Sequence, residues 1–233
     1  MDTPDISLEV SDAANTLLAG QPRIKVLEAG CGSASHVRFA ASTHTVGIDI
    51  SPAQLERNNV VQERIVGDIQ VYPLPKEEFD AVVCWMVLEH LPRPKEALRN
   101  IFASVKPGGV VILAVPYLLS IKGIATKITP FWFHNFFYWF MKYKSRPFRT
   151  YLRMAILPTR MVRLAQADGF TTVFWRIFEG TVTTRLRTRF RSIDLAFSAL
   201  DFFVKVVSFG KLHSLSLDNC FLILKKEGGK LPA

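Results

Sequence analysis

The sequence predicts an α/β fold, with a doubly wound, mostly parallel sheet and helices on both faces. Short apolar runs alternate with helical patterns through residues 1–116 at a spacing of roughly 20 residues, which is typical of βαβ units. The run at 79–84 is almost entirely apolar, as expected for a central strand covered on both sides. A length of 233 residues fits one domain, so we expect a single domain over residues 1–233.

The predicted elements of the first half each rest on a local pattern. Apolar residues at helical spacing predict the first and last helices, and Ser51-Pro52 supplies an N-cap and a first-turn proline for the middle one. Two glycines predict a turn before the fifth strand. In chain order, the elements are a helix at 4–19, strands at 23–29 and 45–50, a helix at 51–62, strands at 63–68 and 79–84, a helix at 94–105, a turn at 106–109 and a strand at 110–115.

Glycines and carboxylates stand where the predicted strands end, which is where ligands bind in such sheets. The string Glu28-Ala29-Gly30-Cys31-Gly32 follows the first strand, and Asp49 and Asp68 close the second and third. A dinucleotide loop would carry a third glycine where Ser35 stands, and Glu28 would repel a pyrophosphate. The loop therefore favours a ligand with a cationic end, and Asp49 can accept the hydroxyls of a ribose.

These residues resemble the class I S-adenosylmethionine-dependent methyltransferases, above all the subgroup that contains the ubiquinone/menaquinone and small-molecule enzymes. The resemblance is dense over 23–116, and it implies a helix at 155–167, a sixth strand at 171–178 and a seventh at 220–226. The motifs that carry it are Leu27 to Gly32, Gly47-Ile48-Asp49, Gly67-Asp68, Phe79-Asp80, Leu88-Glu89-His90-Leu91 and Leu98 through Lys106-Pro107-Gly108-Gly109.

The resemblance implies that S-adenosyl-L-methionine binds at these strand ends and leaves as S-adenosyl-L-homocysteine. Asp49 would bind the ribose diol, and Glu28 would bond the loop or lie near the methionine ammonium. Cys31 is interpreted as a packing residue, because nothing near it marks an activated thiol. The remaining residues implied at the cofactor are Gly30 and Gly32 around methionine and ribose, Ile50, Asp68 and Ile69 around adenine, and Trp85 and Met86 at the methyl end.

Methyl transfer from a sulfonium requires mainly that donor and acceptor be held in line. A general base is needed only where the acceptor must lose a proton, and His90 and His134 are the two candidates. Each has a structural alternative: His90 as part of a turn, and His134 as a bonded residue in an aromatic cluster. The predicted acceptor pocket comprises Tyr117, Phe131, Trp132 and His134. Three scattered cysteines predict neither a metal site nor a disulfide framework, and they favour a reducing compartment.

Charge and aromatic content divide the chain into two halves. Residues 1–116 carry a net charge of −4, and residues 117–233 carry +13 and 22 of the 27 aromatic residues. Two segments stand outside the family pattern: an aromatic and basic insertion at 118–154, and a basic helical insertion at 185–212 whose helix spans 192–209. We hypothesise that both cover the cofactor, lie on a membrane and admit a small hydrophobic or lipid-like acceptor, methylated at oxygen or carbon.

Several alternatives stand beside this hypothesis. The insertions can instead form the packed cover of a pocket in a soluble enzyme or the interface of a homodimer, whereas nucleic acid is the least favoured partner because the second insertion is rich in aliphatic residues. The fold can also be a catalytically silent binder of lipid or of a partner protein. An RNA methyltransferase acting on adenine is disfavoured, since Cys84-Trp85-Met86-Val87 replaces an Asn-Pro-Pro-Tyr motif. The acidic start is unlike a signal peptide, so we expect a cytoplasmic protein, either free or at the cytoplasmic face of a membrane.

Overall fold

The computed structural model describes residues 6–130, 132, 150–207, 209 and 215–228. The helices are α1 (Ile6–Leu17), α2 (Pro52–Leu55), α3 (Pro94–Ser104), α4 (Ile121–Ile128), α5 (Pro158–Ala167), α6 (Thr181–Arg189) and α7 (Arg191–Val207), with short 3-10 helices at Leu88–His90 and Met154–Ile156. The strands are β1 (Arg23–Ala29), β2 (Ser42–Asp49), β3 (Glu63–Val66), β4 (Phe79–Trp85), β5 (Val105–Pro116), β6 (Phe170–Phe178) and β7 (Asn219–Lys226).

The seven strands form one sheet in the order β3-β2-β1-β4-β5-β7-β6, which confirms the predicted fold class. Strands β1 to β5 are parallel, and β7 runs antiparallel to both β5 and β6. The strand order reverses between β1 and β4, so the carboxyl ends of these two strands border the crevice in which such sheets bind ligands. The loops that begin at Gly30 and Met86 therefore lie at this crevice.

Both faces of the sheet are buried, as the apolar runs in the sequence predict. Alternate residues of β5 join different clusters: Val111 and Leu113 pack on the side of α3 and α5, whereas Val110 and Ile112 pack on the side of α1. Alternation of side chains along a strand produces this division. Among the described residues, no helix has the combination of length and hydropathy needed to cross a membrane.

The helix predicted over 51–62 is much shorter, because long-range polar contacts end it at Leu55. The Arg64 guanidinium donates to the carbonyl oxygens of Leu55 and Asn58, at 2.9 Å each, and so satisfies groups that a longer helix would have used. Asn58 is buried and its amide donates to the Cys31 carbonyl oxygen at 3.3 Å. The prediction of the helix end was therefore wrong, and the residues after it support the loop that follows β1.

Two other local predictions also differ from the structure. The turn predicted at 106–109 lies within β5, where the pairing with β4 shifts register between Phe79 and Ala81. The insertion before β7 contains two helices, α6 and α7, where one was predicted. The carboxylate of Asp218 lies at the start of α6 and accepts the Gly180 N–H at 2.5 Å and the Thr183 hydroxyl at 2.9 Å. A carboxylate at a helix N-terminus stabilises the helix, and a residue 35 positions away cannot be recognised as its cap from local sequence.

Candidate functional site

The loop after β1 bends sharply and packs closely against the loop after β4. Gly30 has φ +72°, and a Cβ atom there would lie 2.5 Å from Cγ2 of Val87. The N–H groups of Gly30 and Cys31 both donate to the Ile48 carbonyl oxygen, at 2.7 and 3.2 Å. Only glycine fits this conformation and this close approach. The loop is thus held to the end of β2 at the carboxyl edge of the sheet.

Asp49 connects this loop to the start of α2. Its Oδ2 accepts the Gly32 N–H at 2.9 Å, and its Oδ1 accepts the Ser51 N–H at 2.8 Å. The Gly67 N–H donates to the Asp49 main-chain oxygen at 3.0 Å, which links the end of β3 to the same residue. Each carboxylate oxygen accepts about two hydrogen bonds, so one position on each oxygen is available to a ligand hydroxyl. Asp49 therefore links the loop after β1, the start of α2 and the end of β3.

The two predicted adenine contacts from the isoleucines differ in exposure. The Ile50 side chain is 74% exposed and lies directly after the Asp49 carboxylate, where a flat apolar ring can cover it. Ile69 is only 4% exposed and packs in the main core, so its side chain is not available at the surface to cover a ring. Asp68, predicted beside adenine, accepts hydrogen bonds from the Gln70 N–H and side-chain amide, both at 2.9 Å. These contacts fix the orientation of its carboxylate.

Glu28 and Cys31 are both buried, Glu28 near the end of β1 and Cys31 within the loop that follows it. Burial raises the pKa of Glu28 to about 7, because the charged carboxylate loses its hydration. A cation near Glu28 would restore the charged form. Burial, together with the negative charge of Asp49, raises the pKa of the Cys31 thiol to about 12. A thiol with this pKa is un-ionised at neutral pH, in agreement with the interpretation of Cys31 as a packing residue.

Trp85 and Met86, predicted at the methyl end, terminate β4. The Trp85 ring stacks on the His36 imidazole, with centroids 5.1 Å apart and planes inclined by 14°. Met86 has φ +52°, an unfavourable conformation for a residue with a side chain, and its N–H donates to the Ala114 carbonyl oxygen at 2.9 Å. Strained residues are held by their surroundings and concentrate at functional sites. The bend at Met86 directs the chain from the sheet into the 3-10 helix that carries Glu89 and His90.

Glu89 is a buried acid that the sequence interpretation did not single out. Its Oε2 atom has no hydrogen-bond partner among the described residues. Burial raises the pKa of Glu89 to about 8, and the nearby positive charge of Lys122 opposes part of this effect. His90 Nε2 lies 3.8 Å from Glu89 Oε1. The Glu89-His90 pair in the sequence could have indicated a functional acid here, but it did not show which of the two residues would be buried.

We expect ionisation of Glu89 to make stability fall as pH rises. Between its unfolded pKa near 4.5 and its folded pKa of about 8, the folded chain holds a proton that the unfolded chain has lost. The free energy of unfolding therefore decreases with pH in this interval, by up to about 1.4 kcal/mol per pH unit. Urea unfolding at pH 6 and pH 8 measures this decrease. In Glu89→Gln, the decrease in the free energy of unfolding between the two pH values should be smaller than in the wild type by about 2 kcal/mol. An equal decrease in the wild type and in Glu89→Gln would contradict the assignment of the raised pKa to Glu89.

The predicted acceptor residues lie partly outside the described residues. Phe131 and His134 are among those not described, and Trp132 is 67% exposed. Tyr117 is buried, and its N–H donates to the main-chain oxygen of Asp218 at 2.8 Å. The Asp218 carboxylate also pairs with Lys122, at 3.1 Å. Asp218 and Lys122 organise the edge of the sheet beside Tyr117, and nothing in the local sequence marked either residue.

The groups that converge at the β1–β4 crevice fit S-adenosylmethionine. A carboxylate with free acceptor positions suits the ribose, an exposed isoleucine suits the base, and a buried carboxyl suits an ammonium group. The glycine at position 30 lets the loop pack against Val87, where a Cβ would overlap the Val87 methyl groups. Within the described ranges, no group of three or more histidine, cysteine, aspartate or glutamate residues is arranged to hold a metal ion.

Known proteins are similar to the part of the chain that contains these groups. A family model described as a methyltransferase domain matches residues 5–157. This range includes β1 to β5 and all the polar groups at their carboxyl ends. It stops before α5, so the two insertion helices and the last two strands lie outside the match.

Curated relatives are similar to this chain over about half of its length. The ubiquinone biosynthesis O-methyltransferase of Pseudomonas fluorescens is 34% identical over 138 residues, and the alignment covers 51% of this chain and 58% of the relative. The enzyme of the same description from Pseudomonas putida matches with the same identity and coverage. The chain thus spans little more than half the length of these relatives.

Solved structures share the fold along almost the whole chain. A putative methyltransferase from Bacillus halodurans has a TM-score of 0.57 at 16% identity, covering 95% of this chain and 98% of that one. A putative sarcosine dimethylglycine methyltransferase from Galdieria sulphuraria has a TM-score of 0.60 at 15% identity, covering 95% and 84%. The cyclase SpnF has a TM-score of 0.56 at 16% identity, covering 96% and 80%. At such identities the likeness establishes the fold.

Proposed function

This chain belongs to the methyltransferase domain family, and we propose that it transfers a methyl group from S-adenosylmethionine to an oxygen or carbon atom of a small hydrophobic acceptor. The observation that carries the proposal is the arrangement around Asp49. Its two carboxylate oxygens are oriented by the N–H groups of Gly32 and Ser51, and the exposed Ile50 follows directly. Together these groups present a polar and an apolar surface matched to a nucleoside.

We infer the following roles for the chain's own residues. Asp49 accepts the two ribose hydroxyls, and Ile50 packs against adenine, with the oriented Asp68 carboxylate beside it. Glu28 balances the ammonium group of the methionine portion. The loop at Gly30 brings the main chain close to the ligand. These residues would hold the cofactor at the carboxyl ends of β1 to β3, and Trp85 and Met86, after β4, would line its methyl end.

The cofactor supplies an already activated methyl group on a sulfonium, and it leaves as S-adenosylhomocysteine. The protein then contributes mainly by orienting the acceptor in line with that group, an effect worth up to about 7–11 kcal/mol in favourable cases. Where the acceptor is a hydroxyl, we propose His90, in the 3-10 helix that follows β4, as the base that removes its proton. A base typically contributes about 10²–10⁴-fold.

The relatives' names support oxygen as the methylated atom. They describe O-methyl transfer in ubiquinone biosynthesis. A hydrophobic phenol is accordingly the acceptor class that we propose for this chain. The aromatic composition of residues 118–154 supports the same class, because aromatic side chains favour flat apolar ligands.

A catalytically silent binding fold is the second candidate, and SpnF, which is named a cyclase, shares the fold. Two measurements separate the candidates. Calorimetry with S-adenosylhomocysteine tests the cofactor site, and transfer of a labelled methyl group from S-adenosylmethionine to hydrophobic phenols tests turnover. Binding followed by transfer supports the proposal. Absence of nucleoside binding contradicts it, and binding without transfer to any phenol removes the proposed acceptor class.

Cofactor binding should release protons near neutral pH. Since the pKa of Glu28 is about 7, the free protein holds about half a proton there at pH 7. The ligand's ammonium group stabilises the ionised carboxylate, so binding expels that fraction. Calorimetric titration with S-adenosylhomocysteine in two buffers of different ionisation enthalpy measures the release. Glu28→Gln should abolish it, and proton uptake or an unchanged release in this variant would contradict the role of Glu28.

A further inference from the structure

Helix α7 is attached to the rest of the protein through its polar side chains. Asp194 accepts a hydrogen bond from Arg187 Nε at 2.8 Å, and Arg187 also pairs with Glu179 at 2.7 Å. Further along the helix, the Asp201 carboxylate accepts the Leu215 N–H at 2.8 Å and the Ser216 hydroxyl at 2.9 Å. These bonds fix the rotation of α7 about its axis. They leave the opposite side of the helix facing away from the protein.

The outward side of α7 is apolar. Phe202, Phe203 and Val206 are 70%, 61% and 55% exposed, and every residue of α7 is described, with none of them buried. At about 100° per residue, the exposed apolar positions span an arc of roughly 160°. The other exposed apolar residues of this face are Leu195, Leu200, Val207 and, just after the helix, Phe209. A helix on a soluble core normally buries such a face, and a contiguous apolar patch marks a binding surface.

Positive charge borders this apolar face. Arg191 and Lys205 are exposed and lie along one border of the arc, and Arg189 precedes the helix. The two acidic residues of α7, Asp194 and Asp201, are occupied in the inward hydrogen bonds. Residues 117–233 also carry a net charge of +13. An apolar face with cations at its border is the pattern of a helix that lies in the interface of a membrane containing anionic lipid.

We propose that α7 docks on an anionic membrane surface, with Phe202, Phe203 and Val206 in the interface and Arg191 and Lys205 among the headgroups. A second copy of the chain fits this surface less well, because a symmetric contact would bring like charges together. The segment 133–149, which lies outside the described residues, also fits less well as the occupant of this surface, because like charges would meet. It carries Lys142, Lys144, Arg146 and Arg149 and no acidic residue. The proposal does not depend on methyl transfer.

Vesicle partitioning tests the apolar face. The full chain is sedimented with vesicles of phosphatidylcholine containing 30% phosphatidylglycerol, and separately with vesicles of phosphatidylcholine alone. We expect Phe202→Gln to weaken partitioning into the anionic vesicles at least about tenfold, because a large apolar side chain no longer enters the interface. Leu8→Gln, at another exposed apolar helical position, is the matched control and should leave partitioning unchanged. S-adenosylhomocysteine binding and circular dichroism verify that both variants fold.

Charge reversal tests the electrostatic part. Arg191→Glu with Lys205→Glu should weaken partitioning by at least about thirtyfold, since each cation near an anionic surface contributes about fivefold. The same change at Lys95 and Arg99 of α3, which are also exposed, is the control and should have a much smaller effect. Equal partitioning into neutral and anionic vesicles, or equal effects of test and control variants, would overturn the proposal. A wild-type dimer that Phe202→Gln converts to a monomer without loss of vesicle binding would overturn it in favour of self-association.

Discussion

Replacing Asp49 with alanine is expected to weaken the binding of S-adenosylhomocysteine by at least about a hundredfold, since hydrogen bonds to a charged group contribute about 1.5–3 kcal/mol each. The substitution removes the acceptor of the ribose hydroxyls. It also removes the acceptor of the Gly32 and Ser51 N–H groups, so the loop after β1 loses its connection to α2. Isothermal titration calorimetry on the folded variant measures the affinity.

The control for Asp49 is an aspartate of the same sheet at the other end of the strands. Asp80 accepts the Lys25 N–H at 2.7 Å and pairs with Lys106 at 2.9 Å, far from the carboxyl edge. Asp80→Ala should therefore lower the free energy of unfolding while leaving the affinity for the nucleoside unchanged. Undiminished affinity in Asp49→Ala, with a cooperative unfolding transition, would mean that the nucleoside binds elsewhere.

Gly30→Ala is expected to lower the free energy of unfolding by about 3 kcal/mol, from an unfavourable φ and from steric overlap together. The new Cβ would lie 2.5 and 2.7 Å from the two methyl groups of Val87. Relief of this overlap must displace the loop, so cofactor affinity should fall as well. Thermal or urea unfolding, together with titration of S-adenosylhomocysteine, measures both effects.

Gly20→Ala separates the cost of the unfavourable φ from the cost of steric overlap. Gly20 has φ +87°, but nothing lies within 4 Å of the position of its Cβ, so only the conformational cost applies. We expect a loss of about 1–2 kcal/mol in this variant and no change in affinity. The double variant Gly30→Ala with Val87→Ala should recover part of the affinity. Equal losses in the two single glycine variants would show that the contact with Val87 is unimportant.

The sequence could predict the features that depend on neighbouring residues and on strand periodicity. The parallel strands, the bend at Gly30 and the place of Asp49 all follow from runs of apolar residues that end in polar ones. The first five strands of the confirmed sheet are recognisable from their own composition, whereas the sixth and seventh were predicted from the family resemblance.

Features that depend on distant residues were missed or wrongly placed. The end of α2 is decided by the Arg64 guanidinium, and the start of α6 by the Asp218 carboxylate. Burial also had to be seen in the structure: of the two isoleucines predicted beside adenine, Ile50 is exposed and Ile69 is not. The raised pKa of Glu89 could not be predicted from the sequence for the same reason, since it arises from burial by the residues packed around it.

The chain segment between Tyr117 and Tyr151 leaves and rejoins the scaffold through backbone hydrogen bonds. The Tyr117 N–H donates to the Asp218 carbonyl oxygen at 2.8 Å, and the Tyr151 N–H donates to the Glu89 carbonyl oxygen at 2.8 Å. Because these attachments use main-chain atoms, they do not constrain which amino acids stand between them. Doubling the length of a flexible connection costs only about 0.6 kcal/mol. Exchange of this stretch between homologues can therefore follow the same two boundaries and leave β1 to β5 unchanged.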